Sequence, residues 1–433
     1  MTKKLNEAYI IHGGVPLHGE IKVNTAKNSA LVLILAALLT EEKVVLKDIP
    51  KLSDILIMCE LLEHFGAEVH WYGHDLHIEA KDIHTCTGPY HLVSKMRASF
   101  VALGPLLGRC KEAGMAMPGG CAFGPRPVDR HIKAFKDIGA IIEESDGDFR
   151  LKLNGSLKGT ARFVAPTVGG TQNILLASVL GEHDVTIENA AKEPEITDLV
   201  QMLKAMGAQI EGEGTDTLKI TGVSRLRGLT YRPIPDRIEA GTFILAAAAT
   251  RGKVSLHQVE ISHLSSVIAK LSEAGVKFSK LGPASLLVDA TGDLQNVSLY
   301  TSEYPGIPTD VQAPFTAFLA TLEGDCTIEE RVYPGHRFTH VAELHKMQAD
   351  IELEESTLSI RGGTLQGAKV HSADIRAGGA MVIAGLAAQG TTVVTGLEFI
   401  DRGYEVLDER LRGLGADIHR QEIIEALTGT YGD

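Results

Sequence analysis

The chain of 433 residues has few cysteines, no long apolar run and no excess of positive charge. Its five cysteines include no Cys-x-x-Cys pair, which argues against a disulfide framework or a zinc site and is typical of a reducing compartment. A formal charge of −13 argues against non-specific nucleic-acid binding. The most apolar run, residues 30–39, is far too short for a membrane span, and the N-terminal segment lacks the apolar core of a signal peptide. We therefore expect a soluble, cytoplasmic protein without membrane insertion.

The length of the chain indicates how many domains it forms. A chain of 433 residues is too long for one hydrophobic core and predicts two domains of roughly 200 residues each. Hydrophobic residues at 44% and charged residues at 22% are ordinary for a globular protein of this size.

A repeat runs through the whole sequence at intervals of 67 to 73 residues. Half of each copy is an amphipathic helix that ends in glycine and is followed by a strand-like run. Glycine there is typical of a left-handed residue that ends a helix. The five glycines are Gly66, Gly139, Gly207, Gly275 and Gly415. In the sixth copy Gln348 takes this place, so it must end its helix differently or hold a strained positive φ.

The other half of each copy is an almost wholly apolar helix of small residues. Because these helices are apolar on every side, we expect them to be buried. Short strand-like runs lie between the helices, so each copy reads as a small α/β module. The six apolar helices are predicted over residues 26–39, 94–107, 167–180, 237–250, 310–322 and 374–389.

The apolar helices begin with polar or charged residues. Free N–H groups at helix N-termini favour anions, so converging starts would form an anion site. Capping alone accounts for the polar or acidic starts. It does not account for the cations Lys27, Arg97 and Arg237, which oppose the helix dipole and should therefore face a negative group. The full set of starts is Lys27, Arg97, Thr167, Arg237, Asp310, and Asp374 with Arg376.

A long loop follows the second apolar helix. Residues 118–129 contain three glycines and three prolines, which cannot continue a helix or a strand. Cys121 lies at its centre, with Arg126 and Asp129 close behind. A thiol near a guanidinium can act as a nucleophile or proton donor, whereas most free cysteines only fill space. The loop by itself leaves both interpretations open.

The motifs together resemble those of the enolpyruvyl transferases over nearly the whole chain, from Ile10 to about Ile418. Singly each motif is weak, but their order along the chain is specific. The motifs are Ala26-Lys27-Asn28, Met96-Arg97-Ala98-Ser99, Pro118-Gly119-Gly120-Cys121, Arg126-Pro127-Val128-Asp129, Glu193-Pro194-Glu195-Ile196, Pro235-Asp236-Arg237-Ile238-Glu239, Pro308-Thr309-Asp310-Val311-Gln312, Asp374-Ile375-Arg376-Ala377 and Asp401-Arg402-Gly403-Tyr404-Glu405.

The resemblance implies an α/β fold of two inside-out α/β barrel domains, each with three repeated modules around buried central helices. The active site would lie in the cleft between the domains. We expect one discontinuous domain over residues 1–25 and 235–433. An inserted domain over 26–234 would carry the catalytic cysteine loop.

The resemblance also implies the activity. The best match is the branch that transfers enolpyruvyl from phosphoenolpyruvate to the 3-hydroxyl of UDP-N-acetylglucosamine, the first committed step of peptidoglycan synthesis. No metal or cofactor is needed, and the expected partners are these two small molecules. The implied catalytic residues are Cys121, Asp310, Lys27 and Arg402, with Asp310 as base and Cys121 as general acid.

The same resemblance assigns two groups of binding residues. Arginines suit the carboxylate, phosphate and diphosphate of these substrates because they bind such groups bidentately. The residues implied for phosphoenolpyruvate are Lys27, Asn28, Arg126, Arg376 and Arg402. Those implied for UDP-N-acetylglucosamine are Arg97, Arg126, Pro127, Val128, Asp129, Arg130, Thr167, Val168, Gly169, Asp310 and Val332.

The chain departs from the usual family pattern in a few places. Arg130 stands where leucine is usual, and Asn24-Thr25 stand where Ser-Gly is common. The loop over residues 332–337 is one residue longer, near the expected uracil side. A shikimate-type activity is disfavoured because that branch lacks the cysteine loop. A UMP-type acceptor, a non-catalytic sensor of nucleotide sugars, and a redox role for Cys121 stay open.

Overall fold

A computed structural model describes residues 6–116, 128–145 and 148–423. Within these ranges the chain divides into two compact units. Unit 1 takes residues 6–22, 238–301 and 307–423, and unit 2 takes residues 23–237 and 302–306. The chain therefore begins in unit 1, passes through unit 2 and returns.

The strands are short and occur throughout both units. They are β1 (Asn6–His12), β2 (His18–Lys22), β3 (Val44–Leu46), β4 (Glu68–Tyr72), β5 (Asp75–Glu79), β6 (Thr87–Gly88), β7 (Glu112–Ala116), β8 (Ile141–Ser145), β9 (Asp148–Lys152), β10 (Gly159–Arg162), β11 (Asp184–Glu188), β12 (Gln209–Glu211), β13 (Thr217–Thr221), β14 (Thr230–Tyr231), β15 (Lys253–His257), β16 (Lys277–Gly282), β17 (Ser285–Asp289), β18 (Leu299–Tyr300), β19 (Gly324–Glu329), β20 (Asp350–Glu354), β21 (Thr357–Gly362), β22 (Lys369–His371), β23 (Thr391–Thr395) and β24 (Asp417–Ile423).

The helices alternate with these strands. They are α1 (Lys27–Ala36), α2 (Ser53–Phe65), α3 (Tyr90–Val93), α4 (Leu103–Cys110), α5 (Asp129–Asp137), α6 (Val168–Ser178), α7 (Pro194–Met206), α8 (Arg237–Ala249), α9 (Ser265–Glu273), α10 (Gln312–Leu319), α11 (Thr339–Lys346), α12 (Ile375–Ala387), α13 (Leu397–Ile400) and α14 (Leu407–Gly413). Short 3-10 turns cover Ala37–Leu39, Arg97–Ala102, Ile261–Leu264 and Thr309–Val311.

The described strands form six four-stranded sheets of one topology. In each sheet the first strand is parallel to the second, and the remaining pairs are antiparallel. The sheets of unit 2 have the orders β14-β3-β5-β4, β6-β7-β9-β8 and β10-β11-β13-β12, and those of unit 1 have the orders β2-β15-β17-β16, β18-β19-β21-β20 and β22-β23-β1-β24. Three α/β modules in each unit confirm the predicted repeat.

The apolar helices lie in the interior, as their composition predicts. All residues of α1 except Asn28 are buried, and α10 and α12 are buried over most or all of their length. Helices α4 and α6 come so close that a Cβ on Gly104 would lie 2.5 Å from the carbonyl oxygen of Asn173. A helix that is apolar on every side is stable only when packed on every side, which explains its central place in the module.

The predicted left-handed residues end six helices in the same way. The five repeat glycines have φ between 88° and 111°, and Gln348 has φ 64°. The Gln348 N–H donates to the His345 carbonyl at 3.0 Å, and the Ala349 N–H donates to the Leu344 carbonyl at 3.1 Å. This is the Schellman pattern, and the same pair of bonds recurs at each glycine. Gln348 thus follows the second predicted alternative and holds a left-handed conformation without being glycine.

None of the helices in the described ranges is both long enough and apolar enough to cross a lipid bilayer.

Candidate active site

Lys27 opens the first central helix and is held by two carboxylates of unit 2. Its backbone N–H donates to Asp236 at 3.1 Å, so a residue distant in sequence caps α1. Its ammonium group lies 2.6 Å from Asp54, and both side chains are less than a tenth exposed. The prediction that Lys27 faces a negative group is confirmed, and within this chain that group is Asp54.

Arg237 opens α8 and makes the same kind of contact. Its Nε and Nη2 atoms donate to the two carboxylate oxygens of Glu195 at 3.0 and 3.2 Å. The pair is buried, and the guanidinium carbon also lies 5.7 Å from the centre of the Tyr304 ring. A buried charge requires such compensation, so this cation also faces a carboxylate, as predicted.

Asp198 lies one helical turn beyond Glu195 on α7 and collects three donors. The Tyr231 hydroxyl donates to it at 2.7 Å, the Ile234 N–H at 3.2 Å, and the Ser29 hydroxyl also donates. Burial is the largest influence on this carboxyl group and raises its pKa, against these hydrogen bonds. The network fixes α1, α7 and the segment before α8 to one another, and so orients Lys27 and Asn28 at the start of α1.

Three of the segments predicted for the nucleotide sugar are also helix starts of unit 2. Thr167 caps α6 by accepting the Gly170 N–H at 3.4 Å, and Val168 and Gly169 form the first turn. Arg97 begins the 3-10 turn before α4 and is half-buried. Val128 is buried before α5, whereas Asp129 and Arg130 are exposed in its first turn.

Asp310 is the centre of a charged cluster in unit 1. Its Oδ1 atom lies 2.6 Å from Nη1 of Arg337 and 3.3 Å from Nε of Arg376. Asp310 lies within the 3-10 turn Thr309–Val311, and Pro308 holds the N-cap position of that turn. Two guanidinium groups favour the ionised carboxylate, the form that can accept a proton.

Glu330 anchors the loop that supplies Arg337. This buried carboxylate accepts the N–H groups of Val332 and Tyr333, each at 2.9 Å, and the Thr309 hydroxyl at 2.9 Å. Arg337 ends the loop with φ 68°, and its guanidinium carbon lies 5.0 Å from the centre of the Tyr333 ring. The loop with the additional residue is therefore fixed at both ends beside Asp310.

The remaining predicted residues of unit 1 lie near this cluster. Asp374 caps α12 by accepting the N–H groups of Arg376 and Ala377 at 2.8 and 3.0 Å, which fixes the helix start that carries Arg376. Gly403 packs beside Arg376, since a Cβ there would lie 3.9 Å from its Nη1 atom. Arg402 precedes this glycine on the turn after α13 and is half-buried.

Comparison with known proteins identifies the family. The sequence model of EPSP synthase (3-phosphoshikimate 1-carboxyvinyltransferase) matches residues 11–411. The chain belongs to the EPSP synthase family. Among curated members it is 48% identical to UDP-N-acetylglucosamine 1-carboxyvinyltransferase of Deinococcus deserti over 419 residues, which cover 96% of this chain and 98% of the relative. The enzyme of the same name from Thermus thermophilus is 46% identical over 417 residues, covering 96% and 97%.

Solved structures of family members share the fold. The enolpyruvyl transferase NikO from Streptomyces tendae superposes with a TM-score of 0.86 at 24% identity, covering 97% of this chain and 100% of that one. An EPSP synthase from Acinetobacter baumannii gives 0.74 at 18% identity, covering 96% and 100%. These likenesses confirm the predicted pair of inside-out α/β domains.

Three of the residues predicted from the family motifs, Cys121, Arg126 and Pro127, lie outside the described residues. Elsewhere burial raises the pKa values of the Cys59, Cys86 and Cys326 thiols to about 12. A thiol with so high a pKa is almost wholly protonated at neutral pH and therefore unreactive.

The sequence does not identify the charged side chains that pair with the predicted site residues. Asp54 pairs with Lys27 and Arg337 pairs with Asp310, and nothing in the local sequence of either partner predicts that role. Glu195 was noted only as part of a motif. The signal that could have found them is the helix-start rule, by which a cation at a helix N-terminus opposes the dipole. If that cation is buried, it must meet a carboxylate in the chain or an anionic group of a ligand.

Proposed function

We propose that this protein transfers the enolpyruvyl group of phosphoenolpyruvate to the 3-hydroxyl of the sugar in UDP-N-acetylglucosamine and releases phosphate. The observation that carries the proposal is the 48% identity to a curated enzyme of that name over almost the full length of both chains. The reaction is the first committed step of peptidoglycan synthesis. Because it consumes cytosolic metabolites, we place the protein in the cytoplasm.

The reaction is an addition followed by an elimination. The sugar hydroxyl adds to C2 of the enol phosphate, loses its proton to a base, and C3 gains a proton. The tetrahedral adduct then loses phosphate from C2 and a proton from C3, which restores the double bond. The catalyst must therefore supply a base, an acid and cations that hold the phosphate and the carboxylate.

Asp310 takes the role of the base in this proposal. Arg337 and Arg376 support the role because they hold the carboxylate in one position and favour its ionised form. A base must be aligned with the proton it accepts, and two ion pairs restrict the rotation of this short side chain. Cys121 supplies or relays the proton for C3, as the family motif implies.

The predicted binding residues divide between the two substrates. Lys27, Asn28, Arg126, Arg376 and Arg402 are assigned to phosphoenolpyruvate, and the helix starts at Arg97 and at 167–169 belong to the nucleotide sugar with residues 126–130, Asp310 and Val332. The ion pair of Lys27 with Asp54 supports its assignment, since a buried ammonium group needs a counter-ion when no substrate is bound.

Phosphate release measured with phosphoenolpyruvate and one acceptor at a time tests the proposal. UDP-N-acetylglucosamine, UMP and 3-phosphoshikimate form the three arms, and a reaction without acceptor is the blank. Of the three acceptors, we expect only UDP-N-acetylglucosamine to support turnover. Preference for UMP would assign the protein to another acceptor class, and no turnover in any arm would refute an enzymatic role.

A further inference from the structure

One buried position of the module differs between copies. Eight residues before each left-handed helix end, the six modules place one side chain against the module interior. Four of these side chains are apolar, and two are histidines that are also buried. The residues are Met58, His131, Leu199, Val267, His340 and Leu407. A polar ring is costly to bury where the fold accepts leucine, so a histidine that is hydrogen-bonded at this position is a candidate for a specific role.

His131 is bound by an amide whose orientation is fixed. The Asn173 side-chain oxygen accepts the Gly104 N–H at 2.8 Å, and its nitrogen donates to the Phe100 carbonyl at 3.2 Å. Neither backbone group permits the reversed amide, because an N–H can only donate and a carbonyl can only accept. The amide nitrogen must therefore also donate to Nδ1 of His131, at 2.9 Å. Nδ1 carries no proton, and in the neutral ring the proton sits on Nε2.

The opposite edge of the ring lies against the first turn of α6. A Cβ on Gly169 would lie 3.0 Å from Cε1 and 3.4 Å from Nε2 of His131, so a side chain at this position would crowd the ring. The ring also packs edge-on against Phe100, with 5.4 Å between ring centres. His131 thus contacts α6 at Gly169 and the 3-10 turn that begins at Arg97, and it stands one residue after Arg130 on α5.

We propose that His131 is a positioning residue for the nucleotide sugar, acting through Asn173 and Gly169. The inference rests on the proposed function, which assigns to that substrate, among the described residues, Arg97, residues 128–130 and residues 167–169. The ring sets the spacing of three helix starts that must present their donors together. His340 provides the contrast, because neither of its ring nitrogens has a hydrogen-bond partner among the described residues.

Three variants separate positioning from packing. His131→Leu keeps an apolar side chain that the module accepts at Leu199 and Leu407, but it leaves one Asn173 N–H without an acceptor. His131→Asn places an amide oxygen near the position of Nδ1 and restores that acceptor. His340→Leu is the matched control, since it makes the same exchange at the same module position where no hydrogen bond is lost.

The measurement is the Kd for UDP-N-acetylglucosamine by titration calorimetry, well below the unfolding temperature of each variant. We expect His131→Leu to weaken binding about tenfold. The variant leaves a buried side-chain N–H of Asn173 without an acceptor, and a shift of α6, which carries Asn173, would let that group find another partner. His131→Asn should stay within about threefold of the wild type. The KM for phosphoenolpyruvate should change less than about twofold in both variants, because their contacts lie at the sugar segments.

The possible outcomes have different meanings. Wild-type protein that binds no UDP-N-acetylglucosamine refutes the proposed function itself. Wild-type binding with an unchanged Kd in His131→Leu overturns the positioning role alone. Equal losses in His131→Leu and His340→Leu, or a KM for phosphoenolpyruvate that rises in parallel, would assign His131 to general packing instead. Weaker binding in His131→Leu with recovery in His131→Asn supports the inference.

Discussion

Replacing Gln348 with glycine should stabilise unit 1, because five sister modules use glycine at this position. The left-handed conformation costs a non-glycine residue about 1 to 2 kcal/mol. Relief of this strain is partly offset, by about 0.5 to 1 kcal/mol, because glycine gives the unfolded chain a larger conformational entropy. The Gln348 side chain is exposed, so little packing is lost. The balance is a stabilisation of about 0.5 to 1 kcal/mol, or about 1 to 4 °C in the unfolding midpoint of a unit of roughly 200 residues.

The assay is thermal unfolding followed by circular dichroism, with Gln348→Ala as the matched control. Alanine removes the amide but keeps the Cβ and therefore the strain, so its midpoint should stay near that of the wild type. Gly139→Ala tests the reverse change, since the added Cβ meets no atom within 4 Å and only φ, at 100°, opposes it. A Gln348→Gly midpoint at or below that of the wild type, or an equal gain in Gln348→Ala, would refute the reasoning.

Two further predictions concern the chemistry, and a third concerns the pH dependence of stability. Asp310→Asn should fold and bind UDP-N-acetylglucosamine but lose about two to four orders of magnitude in turnover, and near-normal phosphate release would remove Asp310 from the mechanism. The epoxide fosfomycin should label Cys121 alone, faster with UDP-N-acetylglucosamine present, and Cys121→Asp should resist it yet stay active. Intact mass and peptide mapping check this against the three thiols whose pKa values are raised to about 12, namely Cys59, Cys86 and Cys326. Burial lowers the pKa of His131 to about 3 and of His340 to about 4, so stability is full above the unfolded value of 6.5 and falls as the pH drops below it. Each histidine should lower the free energy of unfolding by about 2 kcal/mol between pH 7 and pH 5. In urea titrations, His131→Leu and His340→Leu should each lack the loss that is due to the replaced histidine.

The module architecture could be predicted because its signals are local. A glycine after an amphipathic helix predicts a left-handed end, and a helix without a polar face must be buried. Each rule needs only a short window of residues, and the sixfold repetition tests it six times. Even the exception at Gln348 was limited to two outcomes, and the structure took the strained one.

The candidate site could be predicted only in part. The helix-start rule located Lys27 and Arg237 and required a negative group beside each of them. It could not identify Asp54 or Glu195, because carboxylates are common and the rule carries no information on which helix packs against which. Asp310 was located by the family motif, but its two guanidinium partners come from a loop and from another module.

What the sequence by itself determined is therefore the set of elements, their repetition, the family and the chemical type of the groups at the helix starts. All of these follow from periodicity, from backbone preferences of single residues and from motifs that are contiguous along the chain. Only the tertiary structure decided which charges neutralise one another, which hydroxyls bind Asp198, and which nitrogen of His131 carries the proton. Those facts depend on contacts between residues far apart in sequence, and packing fixes them once the central helices are enclosed by the three sheets of each unit.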